Sequence, residues 1–179
     1  MSEDDVFTKT GDTYLRLIHP VRPDEDFRQA ISPLVAFAPS VPDELVSAMI
    51  VGPSWRERLL GLSLAMAKGP AAFTGAMVRS LRDVRGISIV PTCAALAVLA
   101  RRGLFDIGQS LAGTFDRGAF DGEVDWAIDQ AMRFASTQPE HTNGRGPNYG
   151  QIFEDQIQLY EWIMGGQQDG AGNSHRAGQ

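Results

Sequence analysis

Histidine, cysteine and carboxylate side chains carry most catalysis and metal binding, and few of them are suitably spaced in this chain. The histidines, His19, His141 and His175, are far apart, and there is one cysteine. The paired spacing of metal sites is therefore missing. Glu140 beside His141 could form an acid–base pair, but no nucleophile is evident in the same loop. This pair leaves one alternative open, a small helical enzyme with a loop site near His141–Tyr149.

Three other segments approach functional motifs, and each lacks a defining feature. Asp121-Gly-Glu-Val-Asp125 does not contain the twelve-residue ligand pattern of a calcium loop. The glycine-rich stretch 143–150 has no Gly-Lys-Ser/Thr following a strand, so it is not a phosphate loop. Cys93 lies in an apolar segment, where burial raises the pKa of a thiol, and we interpret it as a core residue. The sequence therefore predicts no catalytic residue, no metal and no cofactor.

Carboxylates near residue 125 form the strongest candidate for a binding site. Asp121, Asp125 and Asp129 recur every four residues, a helical spacing at which like charges repel, and Glu123 lies beside them. Trp126 projects roughly opposite the apolar side of the same predicted helix. An exposed tryptophan beside carboxylates is typical of a hot spot for a basic protein partner, so these five residues form the predicted partner-binding set. The alternatives are a solvated acidic surface and, favoured for Trp126, burial under an adjacent helix.

The predicted helices that would position such a site have clear start and stop signals in the sequence. Ser54 and Glu57 fit a capping box, and Gly69 followed by Pro70 ends one helix and begins another. The positions of the first helix that are predicted to face water are few: Glu57, Gly61, Lys68 and, in part, Arg58. The segment 88–102 is apolar nearly all round and is predicted to be the central core helix. Residues 87–90 could instead form a short strand, although Pro91 suits the first turn of a helix better.

The rest of the chain is predicted to be one helical domain over residues 1–164. Further helices are expected at about residues 23–36, 40–51, 70–85, 104–117, 122–136 and 149–164. Residues 1–13 are predicted to be frayed, and 137–148 to be a loop. The segment 165–179 has almost no apolar side chains, so we expect a disordered C-terminal tail.

The charges are unevenly distributed over the 179 residues, whose formal net charge is −6. Residues 54–103 hold eight Arg or Lys against two Asp or Glu, whereas residues 104–164 hold three against ten. The acidic last third argues against binding of nucleic acid or an anionic membrane by that part of the chain. A regulatory or scaffold module that contacts nucleic acid through Arg79, Arg82 and Arg85 is a further alternative. A single cysteine and an acidic N-terminus without a signal-peptide pattern favour a cytoplasmic location.

A weak repeat is visible in the predicted helix starts. Ser54, Ser88 and Gly122 are 34 residues apart, and each begins a unit made of a helix, a short turn and a second helix. This period is in the range of helical-hairpin repeats that stack into solenoids. The units share no side-chain motif, so an irregular helical domain is the alternative.

Three segments carry a resemblance to a known class of proteins: Tyr14-Leu-Arg-Leu-Ile-His, Pro53-Ser-Trp-Arg-Glu-Arg-Leu and Pro91-Thr-Cys-Ala-Ala-Leu-Ala-Val-Leu-Ala-Arg. Over residues 14–135 the chain resembles bacterial HEAT-like helical proteins, some of them immunity proteins encoded beside secreted toxins. The resemblance includes no active-site motif. It implies an all-α fold of stacked helical hairpins, HEAT-like or an irregular α-solenoid. It also implies a protein-binding role. We therefore expect a non-catalytic cytoplasmic immunity protein that neutralises a toxin by occlusion, with its acidic residues facing a basic domain of that toxin.

Overall fold

Regular structure is helical in the part of the chain that the computed structural model describes, which is residues 1–18, 25–111, 115–116, 118–136 and 147–171. For residues 147–148 and 166–171 the backbone alone is described. The α-helices are α1 (Glu3–Thr10), α2 (Thr13–Ile18), α3 (Glu25–Phe37), α4 (Asp43–Ile50), α5 (Trp55–Lys68), α6 (Thr74–Ser80), α7 (Ile89–Arg101), α8 (Ile107–Leu111), α9 (Ala119–Ala135) and α10 (Pro147–Ala171). Short 3-10 helices occur at Ala38–Ser40, Pro70–Phe73 and Gly86–Ser88. These ranges contain no β-strand, and the predicted all-helical fold class is confirmed.

Helix α5 begins and ends where its sequence predicts. The Ser54 side chain accepts a hydrogen bond from the Glu57 N–H, and the Glu57 carboxylate accepts one from the Ser54 N–H, both at 3.4 Å. The helix ends at Gly69, whose φ of 133° is disfavoured for other residues. Residues 58–67 are all buried, including Arg58 and Gly61. The prediction that these two positions face water was wrong, because neighbouring helices cover α5 on every side.

Helix α7 lies at the centre of the fold. Its residues 89–99 are buried without interruption, and it packs against α5, α6, α9 and α10. The prediction of a central core helix is confirmed, and so is the placement of Cys93 in that core. Residues 86–88 form a 3-10 helix that leads into α7, so the strand alternative for residues 87–90 was wrong. Pro91 lies in the first turn, where its missing N–H removes no helical hydrogen bond.

The starts of α5, α7 and the regular part of α9 keep the 34-residue spacing. The packing, however, is not limited to units that follow one another in sequence. Helix α10 packs on α7 and also on α5, so the first and third predicted units touch. In a solenoid each repeat contacts only its neighbours. The helices therefore gather around α5 and α7, and the stacked-hairpin part of the prediction is not confirmed.

The ends of several elements differ from expectation. Residues 3–10 form α1, which is capped by Ser2 and Asp5 and buries Val6, so the predicted fraying of this segment was wrong. Within the expected helix at 104–117, residues Ile107–Leu111 are helical and 104–106 and 115–116 are not, while 112–114 and 117 lie outside the described residues. Helix α10 continues past the predicted domain boundary at residue 165 to Ala171. Residues 172–179 of the predicted tail, and 137–146 of the predicted loop, lie outside the described residues.

Arg58 is a buried cation that fastens three segments of the chain together. Its side chain is 1% exposed. The guanidinium Nε donates to the Gly52 carbonyl at 2.7 Å, and Nη1 donates to the Ser80 carbonyl at 3.0 Å and also to the Asp83 carbonyl. The Asp83 carboxylate lies 3.4 Å from Nη2 and 2.9 Å from Arg85. Burial lowers the pKa of Arg58, and the Asp83 charge opposes that shift. The buried guanidinium charge is tolerated because hydrogen bonds to backbone carbonyls replace those that it would make to water.

Replacement of Arg58 by alanine should destabilise the fold by about 3 kcal/mol, because buried carbonyls of Gly52 and Ser80 lose a charged donor. Arg56→Ala, at an exposed position two residues earlier, is the control and should change stability far less. Urea denaturation of both variants measures the difference. Equal midpoints for the two variants would contradict the structural role of Arg58.

Gly61 should not tolerate a side chain, because a Cβ there would lie 2.7 Å from the Ile50 backbone nitrogen in α4. We expect Gly61→Ala to lower stability by about 1–3 kcal/mol. In α6, a Cβ at Gly75 would meet its nearest atom, Arg79 Nη1, at 3.6 Å, so Gly75→Ala should instead gain up to about 1 kcal/mol from helix propensity. Thermal unfolding of the pair shows whether the two shifts have opposite signs.

Candidate interaction site on helix α9

The structure places two kinds of group that the sequence analysis considered for chemistry, the cysteine thiol and potential metal ligands. Cys93 is fully buried, and this burial raises the pKa of its thiol, which keeps the thiol protonated. Among the described residues, no group of three or more His, Cys, Asp or Glu side chains is placed to hold a metal ion. The loop site proposed near His141–Tyr149 lies outside the described residues, except for the start of α10 and its residue Tyr149.

Trp126 is buried, 5% exposed, so it cannot serve as the surface anchor of the predicted partner-binding set. Its indole meets the ring of Tyr149 edge-on at 5.5 Å and the ring of Phe153 at 6.4 Å. Both partners belong to α10, which covers this side of α9. The alternative of burial under an adjacent helix is therefore confirmed, and the exposed-tryptophan reading was wrong.

Phe120 is the exposed aromatic residue beside the carboxylates, and the sequence analysis did not select it. Its side chain is 49% exposed. Its backbone is left-handed, with φ 53° and ψ 51°, and the left-handed segment continues through Asp121 and Gly122 before α9 becomes regular. A left-handed non-glycine residue costs about 1–2 kcal/mol. The dipeptide Asp121-Gly122 was the available signal, because Asp and Gly are the residues that favour such turns.

The carboxylates of the predicted set are not equivalent. Asp121 and Asp125 are exposed, whereas Glu123 is half-buried. Asp129 forms an ion pair with Arg133, with Asp129 Oδ2 2.8 Å from Arg133 Nε one helical turn away. Because Asp121 lies in the left-handed segment, the regular four-residue row is limited to Asp125 and Asp129. The pair with Arg133 offsets the repulsion between these two charges.

The exposed residues of α9 define a candidate interaction surface. Met132, one turn beyond Asp129, is 38% exposed. We call the following set the α9 surface: Phe120, Asp121, Asp125, Asp129 and Met132. Asp125, Asp129 and Met132 recur at helical spacing along one side of α9, and Phe120 and Asp121 precede them in the left-handed segment. Helix α9 is held on its other side by α7, so the surface belongs to a firmly packed element.

A cleft of about 210 Å³ lies between α9 and α10, next to this surface. Its apolar lining comes from Phe134, Phe153 and Ile157, and its polar lining from Gln130, Arg133, Glu154 and Gln158. Phe134 and Phe153 meet edge-on at 6.5 Å, and the Arg101 guanidinium lies 4.6 Å from the Phe134 ring centroid. Arg133 joins the cleft to the α9 surface through its ion pair with Asp129.

Comparisons with protein-family models, with curated proteins and with solved structures give no match to this chain. Within the described ranges, no helix combines the length and the apolar composition needed to cross a membrane.

The left-handed backbone at Phe120 predicts an inverted glycine effect. Phe120→Gly should be more stable than Phe120→Ala by about 1 kcal/mol, because both variants lose the ring and glycine alone relieves the backbone strain. In a regular helix the order would be reversed, since glycine is less favourable there than alanine. Chemical denaturation of the two variants gives the sign, and a more stable alanine variant would contradict the left-handed assignment.

Proposed function

We propose that this chain is a non-catalytic protein-binding module that engages a basic partner through the α9 surface. The observation that carries the proposal is Phe120, an exposed aromatic residue in a left-handed backbone conformation beside Asp121 and Asp125. Strained residues cluster at functional sites, because selection for stability alone would replace them. An exposed phenylalanine that contributes little to the core is explained if it contacts a partner.

The arrangement of charge supports a basic partner. Exposed carboxylates at Asp121 and Asp125 lie between Phe120 and Met132. In interfaces of this kind, apolar anchors supply most of the affinity, while charges at the rim steer association and select the partner. Association through such a surface slows as salt concentration rises, because exposed charges are screened beyond about 10 Å at 0.1 M salt.

The packing of α9 supports binding without a large rearrangement. Val124, Ala127, Ile128 and Ala131 are buried, and α9 packs extensively on the central helix α7. A surface on such an element is already ordered before the partner arrives. Less side-chain and backbone entropy is then lost on binding, which raises affinity for a given contact area.

An immunity role in the cytoplasm is the specific form of this proposal, and it rests on the resemblance to HEAT-like immunity proteins. Such a protein needs no chemistry of its own, since covering the active surface of a toxin is enough to block it. The acidic α9 surface suits a basic toxin domain. The role requires that a toxin encoded directly beside this chain bind the α9 surface.

Selection of a random peptide library on the purified protein tests the proposal. We expect enrichment of peptides that carry Arg or Lys next to a bulky apolar residue. Asp121→Lys combined with Asp125→Lys should weaken the enriched peptides about tenfold or more, because attraction becomes repulsion at two exposed sites.

The matched control is Asp12→Lys combined with Glu44→Lys, which makes the same change in net charge at exposed positions outside α9 and α10. Peptide affinity should change little in this control. Equal weakening in both double variants would show that net charge alone governs binding and would overturn the proposal. Failure to enrich any basic peptide would overturn it as well.

A further inference from the structure

We propose that the cleft between α9 and α10 is an anchor pocket that receives one tryptophan or tyrosine side chain of the partner. This inference rests on the proposed function, because the same partner would lie on the α9 surface. The cleft adjoins that surface through Arg133, whose Nε lies 2.8 Å from Asp129.

Size is the first argument for a single side chain. The cleft measures about 210 Å³, below the range of roughly 300–1,000 Å³ that is usual for pockets of drug-sized ligands. Interface hot spots, by contrast, are filled by individual large side chains that enter small pockets near the centre of a contact. A cleft of this size beside an exposed surface fits that use.

The residues that line the cleft favour a particular type of partner side chain. Phe134 and Phe153 meet edge-on at 6.5 Å, and Ile157 completes the apolar part of the lining. Another aromatic ring can pack against these ring edges and faces with favourable quadrupole geometry. The amide side chains of Gln130 and Gln158 also line the cleft. The exposed Gln158 amide can accept a hydrogen bond from an indole N–H or a phenol O–H, which phenylalanine or leucine does not offer.

The charges around the cleft indicate what flanks that aromatic residue. Arg101 lies against the ring of Phe134, and the charges of Asp129 and Arg133 offset each other in their ion pair. Glu154 lines the cleft, and Asp125 lies on the adjoining surface. A segment with lysine or arginine on each side of the aromatic residue would place its cations near these carboxylates. The partner chemistry is therefore a basic segment with a central tryptophan or tyrosine.

Two methyl groups distinguish the cleft from the α9 surface in an NMR titration. The Ile157 methyl reports on the cleft, and the Met132 methyl reports on the surface. The probes are the synthetic peptides acetyl-Lys-Lys-Trp-Lys-Lys-amide and its counterpart with alanine in place of tryptophan. We expect the tryptophan peptide to shift both methyl signals and the alanine peptide to shift Met132 alone. The tryptophan peptide should bind about threefold to tenfold more tightly.

A variant that fills the cleft tests directly whether the cleft binds the tryptophan side chain. Gln158→Trp places a large side chain at the exposed rim, and it should abolish both the Ile157 response and the affinity advantage of the tryptophan peptide. Gln151→Trp, at an exposed position of α10 outside the cleft, should leave both unchanged. Thermal unfolding of each variant checks that the fold persists.

The outcomes separate this inference from the proposed function. If both peptides shift Met132 and neither shifts Ile157, the anchor pocket is overturned while binding on the α9 surface stands. An Ile157 response that survives in Gln158→Trp also overturns the pocket. If neither peptide shifts either methyl signal, the α9 surface and the anchor pocket both fail.

Discussion

Burial of α7 on all sides is the constraint on which the rest of this structure depends. Eleven consecutive residues, 89–99, are removed from water. A helix that is apolar all round must be covered all round, because each Ile, Val or Leu side chain left exposed would lose about 1.5–3 kcal/mol of transfer free energy. Helices α5, α6, α9 and α10 supply that cover. The positions of these helices follow from this requirement more than from a repeating stack.

Polar groups inside this packing are held by specific hydrogen bonds that connect distant parts of the chain. Arg58 is surrounded by the carbonyls of Gly52, Ser80 and Asp83. Gln156 in α10 donates to the Leu17 carbonyl of α2 at 2.7 Å, a bond between residues 139 apart in sequence. A buried donor or acceptor without its hydrogen bond costs folding free energy. These hydrogen bonds therefore fix the relative position of segments that apolar packing alone would hold loosely.

The outer side of α9 combines strain with exposure, and this combination gives the fold an available binding surface. Phe120 and Asp121 have left-handed backbones, and Phe120 contributes little to the core. The cleft formed with α10 lies farther along α9 and joins the surface at the Asp129–Arg133 pair. The rigid centre and the exposed edge are therefore parts of one arrangement, since α7 holds α9 in place and α10 shapes the cleft.

The sequence by itself determined the features that depend on neighbours along the chain. The capping box of Ser54 and Glu57, the end of α5 at Gly69 and the apolar character of α7 all rest on interactions within a few residues, which is why they could be predicted. The apolar character of the same segment also placed Cys93 in the core.

Only the tertiary structure decided which side chains of the candidate site remain exposed. Trp126 was a plausible surface residue until α10, which begins 21 residues later, covered it with Tyr149 and Phe153. Arg58 was expected partly in water, and it lies instead among carbonyls from other segments. Burial of a side chain depends on which helix, distant in sequence, packs against it. The spacing of nearby residues gives no information about that packing.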